Sequence, residues 1–373
     1  MGKIVFIGAG AIGRGYLPWV FEPGAYDFVF VDNDRRLVDK LRQRGRYTSY
    51  RARKGRLEAR TIPVKEACTL ADFDMARHMD ADVIFMSVGP RNVASAAAGI
   101  RGARCPVVLC ENDPDTVAVA KGVTQHEQTY FAVPDVITSN TASPELLAVD
   151  ELAIITEDGV LFVDDRASSV RGDICFVSED ELINKQWKAK LYIHNTPHCI
   201  LAYLGSLVGA TYVHEAMQNP EIYRIVNGSM NEMLHMLKLR WDIPHEFLDW
   251  YAEKELQRFG NVLLHDPISR VAREPLRKLD LEGRLIGAAQ LCLSLGLLPR
   301  NILTGIASAL LFESDKDEDK HLQFLRRNLS STHLLTYILG LRKGEVLELV
   351  MRERLPKIIA ELEKLVAASK GNA

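Results

Sequence analysis

The first half of the chain alternates short apolar runs with amphipathic stretches. Residues 3–7, 28–31, 82–87 and 106–110 are runs rich in Val, Ile, Phe, Leu and Met, bounded by glycine or acidic turns. Such continuous runs are the mark of strands buried on both faces. Between them, residues 16–21, 35–42, 93–100 and 116–121 carry helical character. Strand and helix in alternation predict βαβ units and a parallel, doubly wound sheet. Two insertions interrupt the rhythm. Residues 42–60 are dense in arginine and alternate polar with apolar around Lys54-Gly55, which predicts an added β-hairpin on a solvated edge. Residues 153–156 and 160–163 flank Asp158-Gly159 and predict a second hairpin, followed by a strand over 173–177.

From Ser178 the pattern changes. Ser178-Glu-Asp-Glu181 is a capping box that opens a helix, and strand signals largely vanish after it. Helical spacing recurs near 179–209, 219–240, 244–258, 281–295, 299–312, 319–328, 332–341 and 344–367. Residues 314–320 read as a solvated loop and 369–373 as a frayed tail. A length of 373 residues exceeds what one hydrophobic core usually serves. Two domains are therefore expected, 1–178 and 179–373, the second all-helical.

Composition narrows the function classes. Apolar content of 47% and charged content of 25% are those of an ordinary soluble protein. A formal net charge of −3 argues against a dedicated nucleic-acid or acidic-membrane binder. No apolar run reaches the roughly 18 residues of a membrane span, and no leader pattern opens the chain, so a cytoplasmic location is expected. The six cysteines include no C-x2-C pair and mostly lie in apolar runs, as reduced core thiols do. His194 and His198 have the spacing of two metal ligands but lack a third, and no metal is expected.

The first strand runs into Gly8-Ala-Gly10-Ala-Ile-Gly13-Arg14-Gly15. This is G-x-G-x-x-G in its required place, between a buried strand and a helix. Gly8 permits the tight turn, Gly10 lets backbone approach a pyrophosphate, and Gly13 lets helix and strand pack closely. The following N–H groups face the phosphates. Gly8, Ala9, Gly10, Ala11, Ile12, Gly13 and Arg14 are thus candidate cofactor contacts, and the first domain reads as Rossmann-like. Asp32 ends the second strand, 24 residues after Gly8. A carboxylate there accepts from the adenosine ribose and repels a 2′-phosphate, favouring NAD over NADP. Arg35 and Arg36 follow closely enough to tolerate that phosphate, and Asp32 could instead cap the next helix. Ligands bind at the C-terminal ends of the strands in such sheets, where Ser87, Val88, Gly89 and Asn112 lie. Asn112 reads either as an amide facing nicotinamide and substrate or as an ordinary turn residue.

At the expected seam between the domains lies Lys190-Leu-Tyr-Ile-His-Asn195-Thr-Pro-His198. On an α-helix Lys190, His198 and Asn195 fall at about 0°, 80° and 140°, within one half of the cylinder. A base, an amide and an imidazole are then offered to one cavity. A surface lysine and a capping amide explain the same residues, and Pro197 requires the helix to kink or restart. A basic block, Arg270-Val-Ala-Arg273-Glu-Pro-Leu-Arg277-Lys278 with Arg284, suits a phosphate or a salt-bridged surface.

Taken with Cys110-Glu-Asn112, Ala202-Tyr-Leu-Gly205 and Arg258-Phe-Gly-Asn261, these motifs make the chain resemble the polyol-specific long-chain dehydrogenase/reductase (mannitol dehydrogenase) family over nearly its whole length. Pro275-Leu-Arg-Lys-Leu279, Arg284-Leu-Ile286 and Gly305-Ile-Ala307 are most similar to members acting on a phosphorylated polyol. The chain departs from the family at Pro134-Asp-Val-Ile-Thr138, where an arginine is missing, at Pro197, and at the basic hairpin. The resemblance implies metal-free hydride transfer between NAD and a secondary alcohol, mannitol 1-phosphate to fructose 6-phosphate. Lys190 would be general acid/base with a lowered pKa, Asn112 and Asn195 would bind the alkoxide, and His198 would place a neighbouring hydroxyl. Arg273, Arg277, Lys278 or Arg284 would hold the phosphate. The partner is then a small polyol or sugar phosphate, with no nucleic acid or membrane; the sequence leaves the oligomeric state open. A uronate reductase or free-polyol dehydrogenase of the same family, a β-hydroxyacid-type dehydrogenase and a non-catalytic NAD sensor are the alternatives.

Overall fold

The computed structural model describes residues 1–315 and 317–371. The chain forms two compact units: Met1–Trp187 with Leu263–His265, and Lys188–Val262 with the described residues from Asp266 onward. Ser178 does open the helix expected of it, accepting from the Glu181 amide at 3.2 Å. The nine residues after it stay with the first unit, where the turn Leu182–Trp187 packs on the sheet and Trp187 meets Phe131 edge-on at 5.8 Å.

The first unit contains β1 (Gly2–Ile7), β2 (Tyr26–Val31), β3 (Arg46–Arg53), β4 (Arg56–Pro63), β5 (Glu66–Cys68), β6 (Val83–Met86), β7 (Val107–Leu109), β8 (Thr129–Asp135), β9 (Ile154–Glu157), β10 (Val160–Asp164) and β11 (Cys175–Val177). Eight of them form one sheet in the order β11-β10-β8-β7-β6-β1-β2-β5, parallel from β8 to β5. β10 runs antiparallel to β8 and carries β11 in parallel. The apolar run in β1 is continuous because each face has its own core. Ile4 and Phe6 join Phe28 and Phe30 on one side, whereas Val5 and Ile7 join Val29 and Val31 on the other. Phe6 stacks on Phe30 at 5.1 Å, and burying such side chains contributes about 1.5–3 kcal/mol each.

Three expectations need correction. Residues 16–21 are not one α-helix; a π-helical turn, Ala11–Tyr16, passes into a 3-10 turn, Leu17–Val20, because Pro18 cannot donate to a longer ladder. The arginine-rich segment is a hairpin, β3 and β4, turning at Lys54-Gly55; β4 is a largely solvated edge strand, but β3 is not. β3 lies between β4 and β9 in a separate sheet, and Tyr47 and Ser49 are buried. The Tyr47 hydroxyl donates to the Arg14 carbonyl at 2.6 Å and Ser49 Oγ to that of Gly15 at 2.9 Å, so the hairpin braces the glycine loop. Residues 153–163 do not make a second hairpin either. β9 pairs in parallel with β3, and β10 pairs with β8 in the large sheet, so the Asp158-Gly159 step moves the chain between sheets.

The second unit is helical throughout its named elements. Its longest helices are Pro220–Arg240 and Val346–Gly371, with Thr196–Leu207, His245–Phe259, Ile286–Ser294, Arg300–Leu311, Asp317–Asn328 and Ser331–Tyr337 around them. Three short helices escaped the periodicity: Val213–Met217, Ile268–Ala272 and Pro275–Lys278. They are too brief to show an apolar stripe. Helix begins at Asp317, inside the stretch expected to be a loop, and continues to Gly371 in the expected tail; Lys316, Asn372 and Ala373 lie outside the described residues. Thr196–Leu207 is the centre of the unit. It is buried from Thr196 to Gly205 and packs on Pro220–Arg240, Ile268–Ala272 and Arg300–Leu311. No described helix is long and apolar enough to cross a membrane.

Candidate active site

In the first unit the glycine loop is built around close backbone approaches. Gly8 takes φ +98°, and a Cβ on Gly13 would stand 1.9 Å from the Gly8 carbonyl. Gly10 is exposed, and a Cβ there would point into open space. That open space in front of free backbone is what a pyrophosphate needs. Asp32 accepts from the Ala9 amide at 2.8 Å through one oxygen and from the Asp34 amide at 2.9 Å through the other. Each oxygen keeps a lone pair for a ribose hydroxyl. The helix cap is Asp34, not Asp32: Asp34 Oδ1 accepts from Arg36 and Leu37. Ala11 and Ile12 are half-buried at the start of the π turn. Arg14 is 6% exposed and turns under the loop, where its guanidinium donates to the carbonyls of Ala9 and Leu152. Its charge is thus buried beneath the glycine loop, and its side chain does not reach out from it.

At the far end of β6, Ser87 Oγ donates to the Gly8 carbonyl at 3.3 Å. The next two amides, Val88 and Gly89, both donate to the Glu111 carboxylate. Asn112 follows on the exposed turn after β7.

In the second unit Lys190–Asn195 is a π-helical turn, closed by the Thr196 amide donating to the Leu191 carbonyl. The α-helix restarts at Thr196 with Pro197 in its first turn, where a missing N–H costs nothing. The wider turn replaces the angular spacing of a straight α-helix, and π turns recur at functional sites. Lys190, Asn195 and His198 are all buried, with 7, 7 and 6% exposed. Asn195 Nδ2 is enclosed and has no hydrogen-bond partner within the protein. A buried amide donor left unpaired costs about 1–3 kcal/mol, which is the signature of a group reserved for a ligand.

His198 stacks on Phe259 at 4.9 Å, with Nε2 3.3 Å from the Asp266 carboxylate but off the hydrogen-bonding direction. Burial lowers its pKa against the pull of Asp266, which keeps the ring neutral near pH 7. Burial opposes ionisation of Asp266 as well, but Arg270 overcomes it by gripping both carboxylate oxygens at 2.7 Å. His194 turns to another carboxylate, with Nδ1 2.5 Å from Glu255, so the two histidines do not converge as ligands. Among the described residues no three His, Cys, Asp or Glu side chains are grouped to hold a metal.

The basic block divides by role. Lys278 is 3% exposed and its ammonium donates to the carbonyls of Val271 and Arg273, with its pKa pushed well down by burial and by Arg284. It ties a loop together. Arg277 pairs with Glu274 at 3.0 Å, and Arg273 is exposed. Arg284 differs from all of these. Burial lowers its pKa, Arg277 acts on it with like charge, and among the described residues no carboxylate lies within ion-pair distance of it. Its own carbonyl accepts from Thr196 Oγ1 at 2.8 Å, one residue beyond Asn195. A partly buried guanidinium without a carboxylate partner leaves its donors open to an anion.

Comparison with known proteins matches one family model to each half of the chain. Residues 2–135 match the Mannitol dehydrogenase Rossmann domain, and residues 183–333 match the Mannitol dehydrogenase C-terminal domain. A mannitol-1-phosphate 5-dehydrogenase of Caldanaerobacter subterraneus subsp. tengcongensis is 30% identical over 340 residues, covering 84% of this chain and 87% of the relative. The chain belongs to the mannitol dehydrogenase family. A mannitol-1-phosphate 5-dehydrogenase of Clostridium acetobutylicum is likewise 30% identical over 345 residues, covering 85% of this chain and 88% of that one. Among solved structures, Pseudomonas fluorescens mannitol 2-dehydrogenase in ternary complex with NAD and D-mannitol superposes with a TM-score of 0.71 at 17% identity, covering 100% of this chain and 92% of that one. At that identity the likeness shows the family fold.

Several residues of this family member were invisible to motif reading. Glu111 stands between Cys110 and Asn112 with no role expected of it, although a carboxylate after a fully apolar run is a warning of buried charge. Asp266 and Arg270 have the spacing of a helical ion pair, which could have drawn Asp266 to notice. Thr196 carried no signal at all.

Proposed function

We propose that the chain is an NAD-dependent secondary-alcohol dehydrogenase that interconverts mannitol 1-phosphate and fructose 6-phosphate. The observation that carries the phosphorylated substrate is Arg284, a partly buried cation with no carboxylate partner, tied through Thr196 to the helix that bears Asn195. The curated relatives are mannitol-1-phosphate 5-dehydrogenases, which agrees with it. The domain roles follow: the first unit holds NAD along Gly8–Gly13, Asp32 and the 87–89 turn, and the second holds the polyol.

NAD, when bound, supplies the hydride acceptor for oxidation and NADH the donor for reduction. The chain's own groups do the rest. Lys190 takes the proton of the reacting hydroxyl during oxidation and returns it to the ketose oxygen in the reverse direction. The unpaired Nδ2 of Asn195 donates to that oxygen as charge develops, and the Asn112 amide is assigned the same task. These donors replace the Lewis acid that other alcohol dehydrogenases use. His198, neutral and held flat on Phe259, positions a neighbouring hydroxyl. Arg284 receives the phosphate, and Arg277 adds positive potential.

The test is NADH oxidation with fructose 6-phosphate, fructose and fructuronate in parallel. Turnover with fructose 6-phosphate in large excess over the other two is expected. Activity on free fructose or fructuronate alone would overturn the phosphate assignment.

A further inference from the structure

Within Cys110-Glu-Asn112, neither proton transfer nor oxyanion binding gives Glu111 a task. The residue lies two positions beyond the end of β7 and is 4% exposed. Its carboxylate accepts three backbone hydrogen bonds: Oε1 from Val88 at 2.6 Å and Gly89 at 3.1 Å, and Oε2 from Gly89 at 3.0 Å. On the other side of the turn, Asn92 Nδ2 donates to the Val88 carbonyl at 2.8 Å. Gly89 takes φ +87°, a conformation open to glycine and strained for other residues. Among the described residues no Lys, Arg or His side chain pairs with Glu111; the charged side chain acting on it is Asp113, of like sign.

We propose that Glu111 is a positioning residue which, in its ionised form, clamps the amides of Val88 and Gly89 and so holds the 87–89 turn in the shape that receives the dinucleotide. Cofactor affinity then depends on the charge of a residue that does not touch the cofactor. The proposal rests on the reading of the 87–89 turn as part of the NAD site. A protonated carboxyl presents an O–H where it must accept from an N–H, and the clamp loses one arm. Burial pushes the Glu111 carboxyl up to about 7, with the two amides pulling the other way and Asp113 adding to the rise. Ionisation therefore falls within the working range of a metabolic enzyme.

Binding of NADH is measured by fluorescence from about pH 6 to about pH 8.5, either side of this titration, in the wild type and in Glu111→Gln. The wild type is expected to lose affinity as the pH falls, with a break near neutrality. Glu111→Gln is expected to bind roughly tenfold more weakly at the alkaline end and to lack the break. Calorimetry of NADH binding to the wild type in buffers of different ionisation enthalpy needs no variant. It should show proton release at the acidic end and none at the alkaline end. A Glu111→Gln variant with wild-type affinity, the same break in both proteins, or binding without proton release would each overturn the role of Glu111. Failure of the wild type to bind NADH at any pH would instead sink the NAD reading itself.

Discussion

The hydroxyl of Thr196 donates to the backbone carbonyl of Arg284 at 2.8 Å, across 88 residues of sequence, and also reaches the Leu191 carbonyl at 3.1 Å. One fully buried side chain thus ties the amide-bearing turn to the segment that carries the unpaired guanidinium. Thr196→Val keeps the shape and removes the donor. It should cost about 1–3 kcal/mol, because the Arg284 carbonyl loses its donor, whereas the Leu191 carbonyl keeps the Thr196 amide. A lowered urea midpoint together with a raised KM for fructose 6-phosphate is the expected result, and unchanged values of both would show the tether to be idle.

Arg284→Met separates function from stability. The variant removes a partly buried charge that has no carboxylate partner, so the melting temperature should hold or rise. The KM for fructose 6-phosphate should increase roughly 10- to 100-fold, the worth of charge-assisted hydrogen bonds, with activity on free fructose unaffected. A fall in melting temperature with an unchanged KM would mean that Arg284 is structural.

Lys190→Ala should lower turnover by about 10²–10⁴-fold in both directions while NADH still binds. Asn195→Ala should lower kcat by roughly 10²–10³-fold with little change in KM, since its free Nδ2 is used as charge develops. Steady-state kinetics beside an NADH titration distinguish these losses from a failure to fold.

Two glycines of one motif should behave oppositely. Gly10 has a negative φ of −78° and open space where a Cβ would go, so Gly10→Ala should fold normally and lose NADH binding. Gly13→Ala would drive a methyl to 1.9 Å from the Gly8 carbonyl and should damage the fold as well. Thermal melts with and without NADH report both outcomes. Normal NADH binding by Gly10→Ala would place the pyrophosphate elsewhere.

Glu111 predicts a pH dependence of stability. Its folded pKa, about 7 against an ordinary 4.5, means that the native state binds the extra proton between those values. Stability from this group is present at about pH 4.5 and is lost as the pH rises through 7, by roughly 3 kcal/mol in all. The difference in unfolding free energy between Glu111→Gln and wild type should therefore move in the variant's favour from about pH 5 to about pH 8. Urea unfolding at the two pH values measures it, and a constant difference would refute the raised pKa.

The sequence by itself determined the alternation of buried strands and helices, the glycine loop with Asp32 behind it, and the spacing of Lys190, Asn195 and His198. Each of these is local. Period, spacing and turn chemistry act over a few residues, and their physics is complete within that span. What only the tertiary structure decided lies in pairings between distant segments. Whether Arg284 has a counter-ion depends on which carboxylates the fold brings near it, and Lys278, a few residues away, was drawn instead to two carbonyls. The arginine-rich hairpin looked solvated because its charges dominate the composition, yet Tyr47 and Ser49 on its hidden face brace the glycine loop. The two strands around Asp158-Gly159 have hairpin chemistry but join different sheets, since β3 and β8 were available as partners. Local preference sets which element forms; burial and hydrogen-bond satisfaction among remote segments set what each side chain is left free to do.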